Sequence, residues 1–239
     1  MGNRFDVIII GAGPAGLACA RALAGSSLRV LLLEKNRTIG PKVCAGGLTR
    51  IAAQFGIPGE ARSFSSHTVH VDEQPPFLID LIHPLNIIDR ETLAGLHIKG
   101  IEQAANIEVA AETRVTGLAE NAVTTNRGDF HYRWLVAADG SQSFVRKHLG
   151  LPSKYGIGLC YEVPRRADAV VFQFRPRIIR SGYLWIFPHR GFTNVGIGFN
   201  PDTLTAGLAK VNLKQFLKER GFSRDGLPHD SDDWMFVNA

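Results

Sequence analysis

Residues 5–34 leave little freedom of architecture. An apolar, β-branched run at 5–10 passes without a break into Gly11-Ala12-Gly13-Pro14-Ala15-Gly16. An alanine- and leucine-rich stretch at 15–25 follows, with Gly25 near its stop, and a second apolar run at 28–33 ends on Glu34. The continuous apolar runs predict strands buried on both faces, and the stretch between them predicts a helix. A GxGxxG that closes a strand and opens a helix has a physical role for each glycine. Gly11 makes the tight turn, Gly13 lets a diphosphate approach the backbone, and Gly16 lets helix and strand pack closely. Pro14 costs little at the helix start, where its missing N–H would have no helical partner. The amides of that first turn and the positive end of the helix dipole suit a diphosphate. Glu34 lies 18 residues beyond Gly16 and is placed to accept hydrogen bonds from ribose hydroxyls. Its charge disfavours the 2′-phosphate of NADP at this position.

Further along, 89–105 predicts a helix with Asp89 at its start. Short strands are predicted at 107–110, 115–118, 122–125 and 130–137 around the turns Glu120-Asn121 and Arg127-Gly128. The last of these stops at Asp139-Gly140, with a helix predicted at 143–149. That makes a second corner from which an aspartate can reach cofactor hydroxyls. From 155 to 199 the chain is strand-like, in runs near 156–163, 169–174, 181–187 and 192–198, and 64–71 and 77–83 have the same character. A helix is predicted at 203–220, with Leu204, Leu208, Val211 and Leu217 near one face and Gly221 as its stop. The expected fold class is α/β: a discontinuous Rossmann-like domain, 1–62 with 84–150, and a second domain with a mixed or antiparallel sheet, 63–83 with 151–222. The tail 223–239 is expected to be irregular.

Composition narrows the function classes. A formal charge of +5 without a long Lys/Arg block, zinc-finger spacing or aromatic–basic repeat argues against nucleic acid as a partner. Arg165, Arg166, Arg175, Arg177, Arg180 and Arg190 concentrate charge in the second domain, as either a solvated face or a contact for an anionic headgroup. The three cysteines, Cys19, Cys44 and Cys160, form no CxxC pair and suit a reducing compartment. No histidine spacing marks a metal site, and none is expected. The apolar stretch at 7–25 contains Arg21 and is broken by glycines and Pro14, so it predicts a strand, turn and helix rather than a membrane span. A cytoplasmic location is expected, compatible with peripheral membrane contact.

With these motifs in place, residues 4–220 resemble the geranylgeranyl reductase family, a branch of the para-hydroxybenzoate hydroxylase-like FAD-dependent oxidoreductases. The resemblance rests on GAGPAG at 11–16 with Glu34, PKVCAGGL at 41–48, Asp89-Arg90, ADGSQSFVR at 138–146 and YLWIFPHRGFTNVGIG at 183–198. The last fits the pattern YxWxFP-x7-GxG from Tyr183, Trp185, Phe187 and Pro188 to Gly196 and Gly198. The family reduces isolated double bonds of isoprenoid chains with FAD, itself reduced by NADPH or another donor. The resemblance implies that Gly11, Gly13, Pro14, Ala15, Gly16, Glu34 and Lys35 hold the ADP half of FAD. Arg90, Asp139 and Gly140 would meet its phosphate and sugar region. Cys44, Gly46 and Gly47 would line the flavin ring and the substrate entrance, with Cys44 or water as proton donor. Tyr183, Trp185 and Phe187, with Gly196 and Gly198, would form the prenyl pocket. For the three aromatics the alternative reading is plain sheet core, and for Cys44 it is a small buried hydrophobe.

Two departures accompany the resemblance. The family's third cofactor motif, a Gly-Asp before a glycine-rich helix start, does not occur before Ala239, which predicts a pocket open on one side. Position 45 is alanine where the family commonly has glycine. Two rival readings stand beside a prenyl reductase: an aromatic hydroxylase of the same superfamily, and a non-catalytic nucleotide- or lipid-binding remnant.

Overall fold

The computed structural model describes residues 2–49, 59–222 and 233–238. The chain divides into two compact units, Met1–Lys42 with Arg90–Pro152 and Val43–Asp89 with Ser153–Ala239.

In the first unit, β1 (Arg4–Ile10) is the central strand, which is why its sequence is apolar throughout. Val7 and Ile9 pack on one face with Leu17 and Ala20 of α1 (Pro14–Leu23) and Ala94 of α2 (Arg90–Lys99). Phe5, Ile8 and Ile10 pack on the other face with Val123 and Val145. β2 (Val30–Leu33) is buried at all four positions. Each such leucine contributes about 1.5–3 kcal/mol by burial. The sheet is completed by β6 (Ile107–Ala110), β7 (Val115–Ala119), β8 (Ala122–Thr125) and β9 (Gly128–Ala137), in the order β6-β2-β1-β9-β8-β7. β6, β2, β1 and β9 run parallel, and β7 and β8 extend the sheet as an antiparallel meander. The short helix α3 (Phe144–His148) follows β9. The helix expected over 89–105 is helical only to Lys99; Gly100 donates to Leu96 O and His97 O, and the chain continues in turns. Glycine there lacks the propensity to carry the helix on.

The second unit is built on β3 (Gly47–Leu48), β4 (Arg62–Val71), β5 (Phe77–Ile87), β10 (Tyr155–Val163), β11 (Val171–Phe174), β12 (Tyr183–Pro188), β13 (Thr193–Phe199) and β14 (Asp233–Asn238). Their order is β14-β10-β13-β12-β11-β4-β5-β3. Among the described residues only the β4–β11 pair is parallel, so the sheet is mixed, within the mixed or antiparallel sheet expected from the sequence. Gly47 pairs with Ile87 and Leu48 with Asn86, which ties 43–49 and 84–89 to this sheet. The expected boundaries near 62 and 84 did not anticipate that pairing.

One face of this sheet is covered by α4 (Ala206–Glu219), whose Ala209, Leu213, Phe216 and Leu217 pack on Leu159, Leu184, Val195 and Ile197. Of the expected apolar face, Leu204 and Leu217 are buried in this core, and Leu208 and Val211 are not. Leu208 is 55% and Val211 63% exposed, because positions 209, 213, 216 and 217 form the inward stripe. The tail is not irregular throughout: β14 pairs antiparallel with β10, from Tyr155↔Asn238 to Cys160↔Asp233. Its Trp-Met-Phe-Val core is a short apolar run of the kind edge strands use. Residues 223–232 and 239 of the tail lie outside the described residues.

Candidate functional site

In the first unit the carboxyl ends of β1, β2 and β9 meet at the point where strand order reverses about β1, the position at which open α/β sheets take ligands. Gly11 has φ +100°, and a Cβ there would stand 2.5 Å from Ala138 O, so only glycine lets β1 leave the sheet beside the end of β9. A Cβ on Gly16 would stand 1.8 Å from Gly11 O, so α1 depends on a bare backbone to lie against the turn. Around Gly13 a Cβ would meet nothing within 4 Å: this residue faces open space.

Gly13 is also the N-cap of α1, and no side chain caps the helix. The first intrahelical bond runs from Leu17 N to Gly13 O at 2.9 Å. The amides before it have no helical acceptor, and the first turn carries no acidic residue to offset its positive end.

Glu34 is 8% exposed. Its carboxylate accepts from Ala12 N at 2.9 Å through one oxygen and from Asn36 N at 2.9 Å through the other. A single side chain therefore ties the glycine turn to the end of β2, and each oxygen keeps a further lone pair.

These elements border a cavity of about 930 Å³, within the range of roughly 300–1,000 Å³ usual for small-molecule sites. Gly11, Gly13, Pro14, Ala15, Glu34, Lys35, Arg90, Asp139 and Gly140 all line it. Gly16 lies behind the turn. The basic side chains Lys35, Lys42, Arg90 and Arg114 give the lining a cationic balance suited to phosphate. Asp139 is engaged by its own helix: its carboxylate accepts from Ser143 Oγ at 2.6 Å, Phe144 N at 2.7 Å and Val145 N at 3.2 Å. It caps the start of α3 while lining the cavity, so a ligand hydroxyl would reach it as an additional donor.

Sequence reasoning missed Thr113–Thr116, which line the same cavity after β6. Thr113 is buried and its N–H donates to Glu34 O at 2.7 Å. The signal was available, since β6 is the next parallel strand and its carboxyl end must open on the same side. His97 also lines the cavity, with burial first and Arg21 second holding its imidazole below the ordinary histidine value.

In the second unit the sheet face opposite α4 is aromatic. Alternation puts Tyr183, Trp185 and Phe187 of β12 on that face, beside Phe172 and Phe174 of β11 and Gly196 and Gly198 of β13. Ring centroids follow one another at 5.8 Å (Phe174–Tyr183), 6.0 Å (Tyr183–Trp185) and 6.5 Å (Trp185–Phe187). The three rings of β12 are spread over four residue steps, about 13 Å at roughly 3.3 Å per step. Trp185 and Phe187 are buried in a cluster with Ile87, Cys160 and Val170, whereas Tyr183 is 39% exposed. Burial raises the Tyr183 phenol above its ordinary value.

A Cβ on Gly196 would stand 2.2 Å from the Trp185 ring, so this glycine makes room for the indole. At Gly198 the same test gives ordinary contacts, 3.5 Å from Trp185 and 4.0 Å from Tyr183. Cys44, Gly46 and Gly47 sit in this unit too. Gly46 has φ +83°, and a Cβ there would meet Ile88 O at 2.4 Å and the His189 ring at 2.5 Å; on Gly47 it would meet Phe187 at 2.9 Å. Cys44 Sγ accepts from Gly46 N at 3.4 Å.

Three of the arginines named above are engaged separately within this unit. Arg165 donates to Gly221 O at 2.7 Å, Arg175 pairs with Glu219, and Arg190 donates to Gly59 O. Among the described residues no group of His, Cys, Asp and Glu could hold a metal ion, and no helix is long and apolar enough to cross a membrane.

A two-unit chain with a glycine-turn nucleotide cavity and an aromatic second sheet defines a class of dinucleotide-binding proteins. The chain belongs to the pyridine nucleotide-disulphide oxidoreductase family, whose model matches residues 5–175. It is 29% identical over 239 residues to digeranylgeranylglycerophospholipid reductase 1 of Methanopyrus kandleri, covering 90% of this chain and 63% of that protein. The chain thus spans less than two thirds of that relative's length. Among solved structures, a geranylgeranyl bacteriochlorophyll reductase-like protein of Thermoplasma acidophilum shares the fold with a TM-score of 0.78 at 22% identity, covering 99% of this chain and 66% of that one. The halogenase PltM in complex with phloroglucinol and FAD shares it with a TM-score of 0.72 at 16% identity, covering 98% and 60%.

Proposed function

We propose that the chain binds FAD in the cavity of its first unit and works as a flavin-dependent oxidoreductase that reduces isolated double bonds of a geranylgeranyl or related isoprenoid chain. The observation that carries the cofactor is the glycine turn itself. Gly13 is open to the cavity, the amides of α1 are uncapped, and Glu34 is fixed beside them. These residues fit a dinucleotide: α1 would take the diphosphate, Glu34 the adenosine ribose, and Lys35 and Arg90 the remaining phosphate charge. When bound, the flavin supplies hydride from N5.

The protein's own share is orientation, exclusion of water and a proton. Tyr183, the exposed ring of the three, presents rigid apolar area backed by the buried Trp185 and Phe187, which suits a prenyl chain. The names of the relatives support that substrate class. Reduction of an alkene needs a proton at the second carbon besides the hydride, and Cys44 or water would donate it. NADPH or another donor would reduce the flavin.

The test is anaerobic. Flavin-loaded protein is photoreduced, a geranylgeranyl lipid is added, and flavin reoxidation is followed together with product mass. The expected result is reoxidation without O₂ and a product heavier by two hydrogens per bond reduced. Reoxidation that requires O₂ and yields an oxygenated product would refute the reductase reading.

A further inference from the structure

Two buried polar side chains on the aromatic face of the second sheet have no part in the function proposed above. His189 is 3% and Asn194 1% exposed. His189 stacks on Phe192, with centroids 4.3 Å apart and rings 11° from parallel, and its Nε2 lies 3.0 Å from Ala45 O. Because a carbonyl only accepts, that contact requires the Nε2–H tautomer. Asn194 Nδ2 donates to Cys44 O at 3.5 Å and to Cys160 Sγ at 3.4 Å, while its Oδ1 accepts the Trp185 indole N–H at 2.8 Å.

The carbonyls of three successive residues are therefore engaged from within the unit: Cys44 by Asn194, Ala45 by His189, and Gly46 by Ile88 N at 3.0 Å. Val43 and Ala45 pack on the cluster that holds Trp185 and Phe187. The Cys44 thiol is half-buried and accepts from Gly46 N at 3.4 Å, so its setting follows the path of this backbone. The His189 ring, together with Ile88 O and the positive φ of Gly46, leaves room only for glycine there.

We infer that His189 and Asn194 are positioning residues. They clamp the Cys44–Gly46 backbone to the sheet and, through Asn194, hold it in fixed register with the Trp185 indole. This rests on the reading that the segment and the aromatic wall serve the same reaction. The clamp decides how the thiol and the amide edge of the segment are presented. It acts through other groups and touches no reacting atom.

Cys44 reports on the clamp directly. In the 239-residue chain carrying Cys19→Ala and Cys160→Ser, it is the only remaining thiol, and the hydroxyl introduced at position 160 still offers Asn194 an acceptor. Alkylation by N-ethylmaleimide is followed by mass spectrometry, with the thermal midpoint measured alongside. His189→Phe keeps a ring to stack on Phe192 but loses the donor, His189→Gln restores a donor, and Asn194→Leu removes both of its arms. Loss of one hydrogen bond to the segment should change the Cys44 rate by about fivefold. The expected result is that change in His189→Phe and Asn194→Leu, with most of it reversed in His189→Gln. Unaltered rates, or rates that track the thermal midpoint with no rescue by glutamine, would overturn the inference. Should Asn194→Leu not fold, the Phe/Gln pair at 189 decides alone. Geranylgeraniol added to the same background should protect Cys44. Absent protection counts against the prenyl reading, while the variant pair still decides the clamp.

Discussion

Glu34 is buried, and both of its oxygens already accept backbone N–H bonds, from Ala12 and Asn36. Its position was legible because a carboxylate at the tip of the second strand has a spacing and a reason. Its second task, fixing the glycine turn, was not legible, because backbone partners leave no trace in side-chain pattern. His189 was missed altogether. Within the motif at 183–198 it reads as an ordinary polar residue after a proline, yet it is among the most buried polar groups of the second unit. Burial above all holds its imidazole below the ordinary value of 6.5; Arg62 adds to that, and the Ala45 carbonyl and Asp89 oppose it. A histidine whose folded value is depressed binds fewer protons folded than unfolded in the window just below 6.5. Stability should therefore fall as pH drops from 7.5 through that window, read as a lower thermal midpoint near pH 5.5. His189→Gln should show a smaller fall. An equal fall in both proteins would remove His189 as a cause, leaving His97 and His70, both shifted the same way, to be tested.

Elements with one strong local pattern were legible. β1, β2, β12 and β13 follow apolar runs, and α1 follows a GxGxxG whose glycines each have a geometric demand. Elements whose pattern was ambiguous were not. The inward stripe of α4 was partly misplaced because Leu208 and Val211 are as apolar as the residues that pack, and only the sheet beneath selects Leu213 and Phe216. β3 is too short to carry any periodicity, and β14 is recognised by its partner β10. The contact of α1 with the turn after β1 makes a prediction at this scale. Gly16→Ala would bring a Cβ to 1.8 Å from Gly11 O, so backbone must shift. Such overpacking costs about 1–3 kcal/mol, which should lower the thermal midpoint by several degrees without altering the second unit. A wild-type midpoint would mean that α1 is not held as closely as described.

At the scale of the molecule, a discontinuous first unit and a mixed second sheet were legible from the composition shift after residue 150 and from strand-like segments interrupted by 89–150. Where the chain passes from one unit to the other was not, since it depends on Gly47 and Leu48 pairing with β5. The candidate site divides in the same way. The residues drawn from the fingerprint gather at one cavity, while Cys44, Gly46, Gly47 and the aromatics of β12 belong to the second unit.

The central claim, that the open turn at Gly13 and the bare start of α1 grip the diphosphate of FAD, is tested most directly by calorimetric titration of FAD into wild-type and Gly13→Asp protein. The substituted side chain has room, and aspartate is at least as good an N-cap as glycine, so stability should stay within about 0.5 kcal/mol. Its carboxylate would occupy the diphosphate position. Saturable 1:1 binding to the wild type is expected, with loss of at least about tenfold in affinity in Gly13→Asp through charge repulsion at the helix N-terminus. Equal affinity of two equally folded proteins, or no binding to either, would contradict the claim.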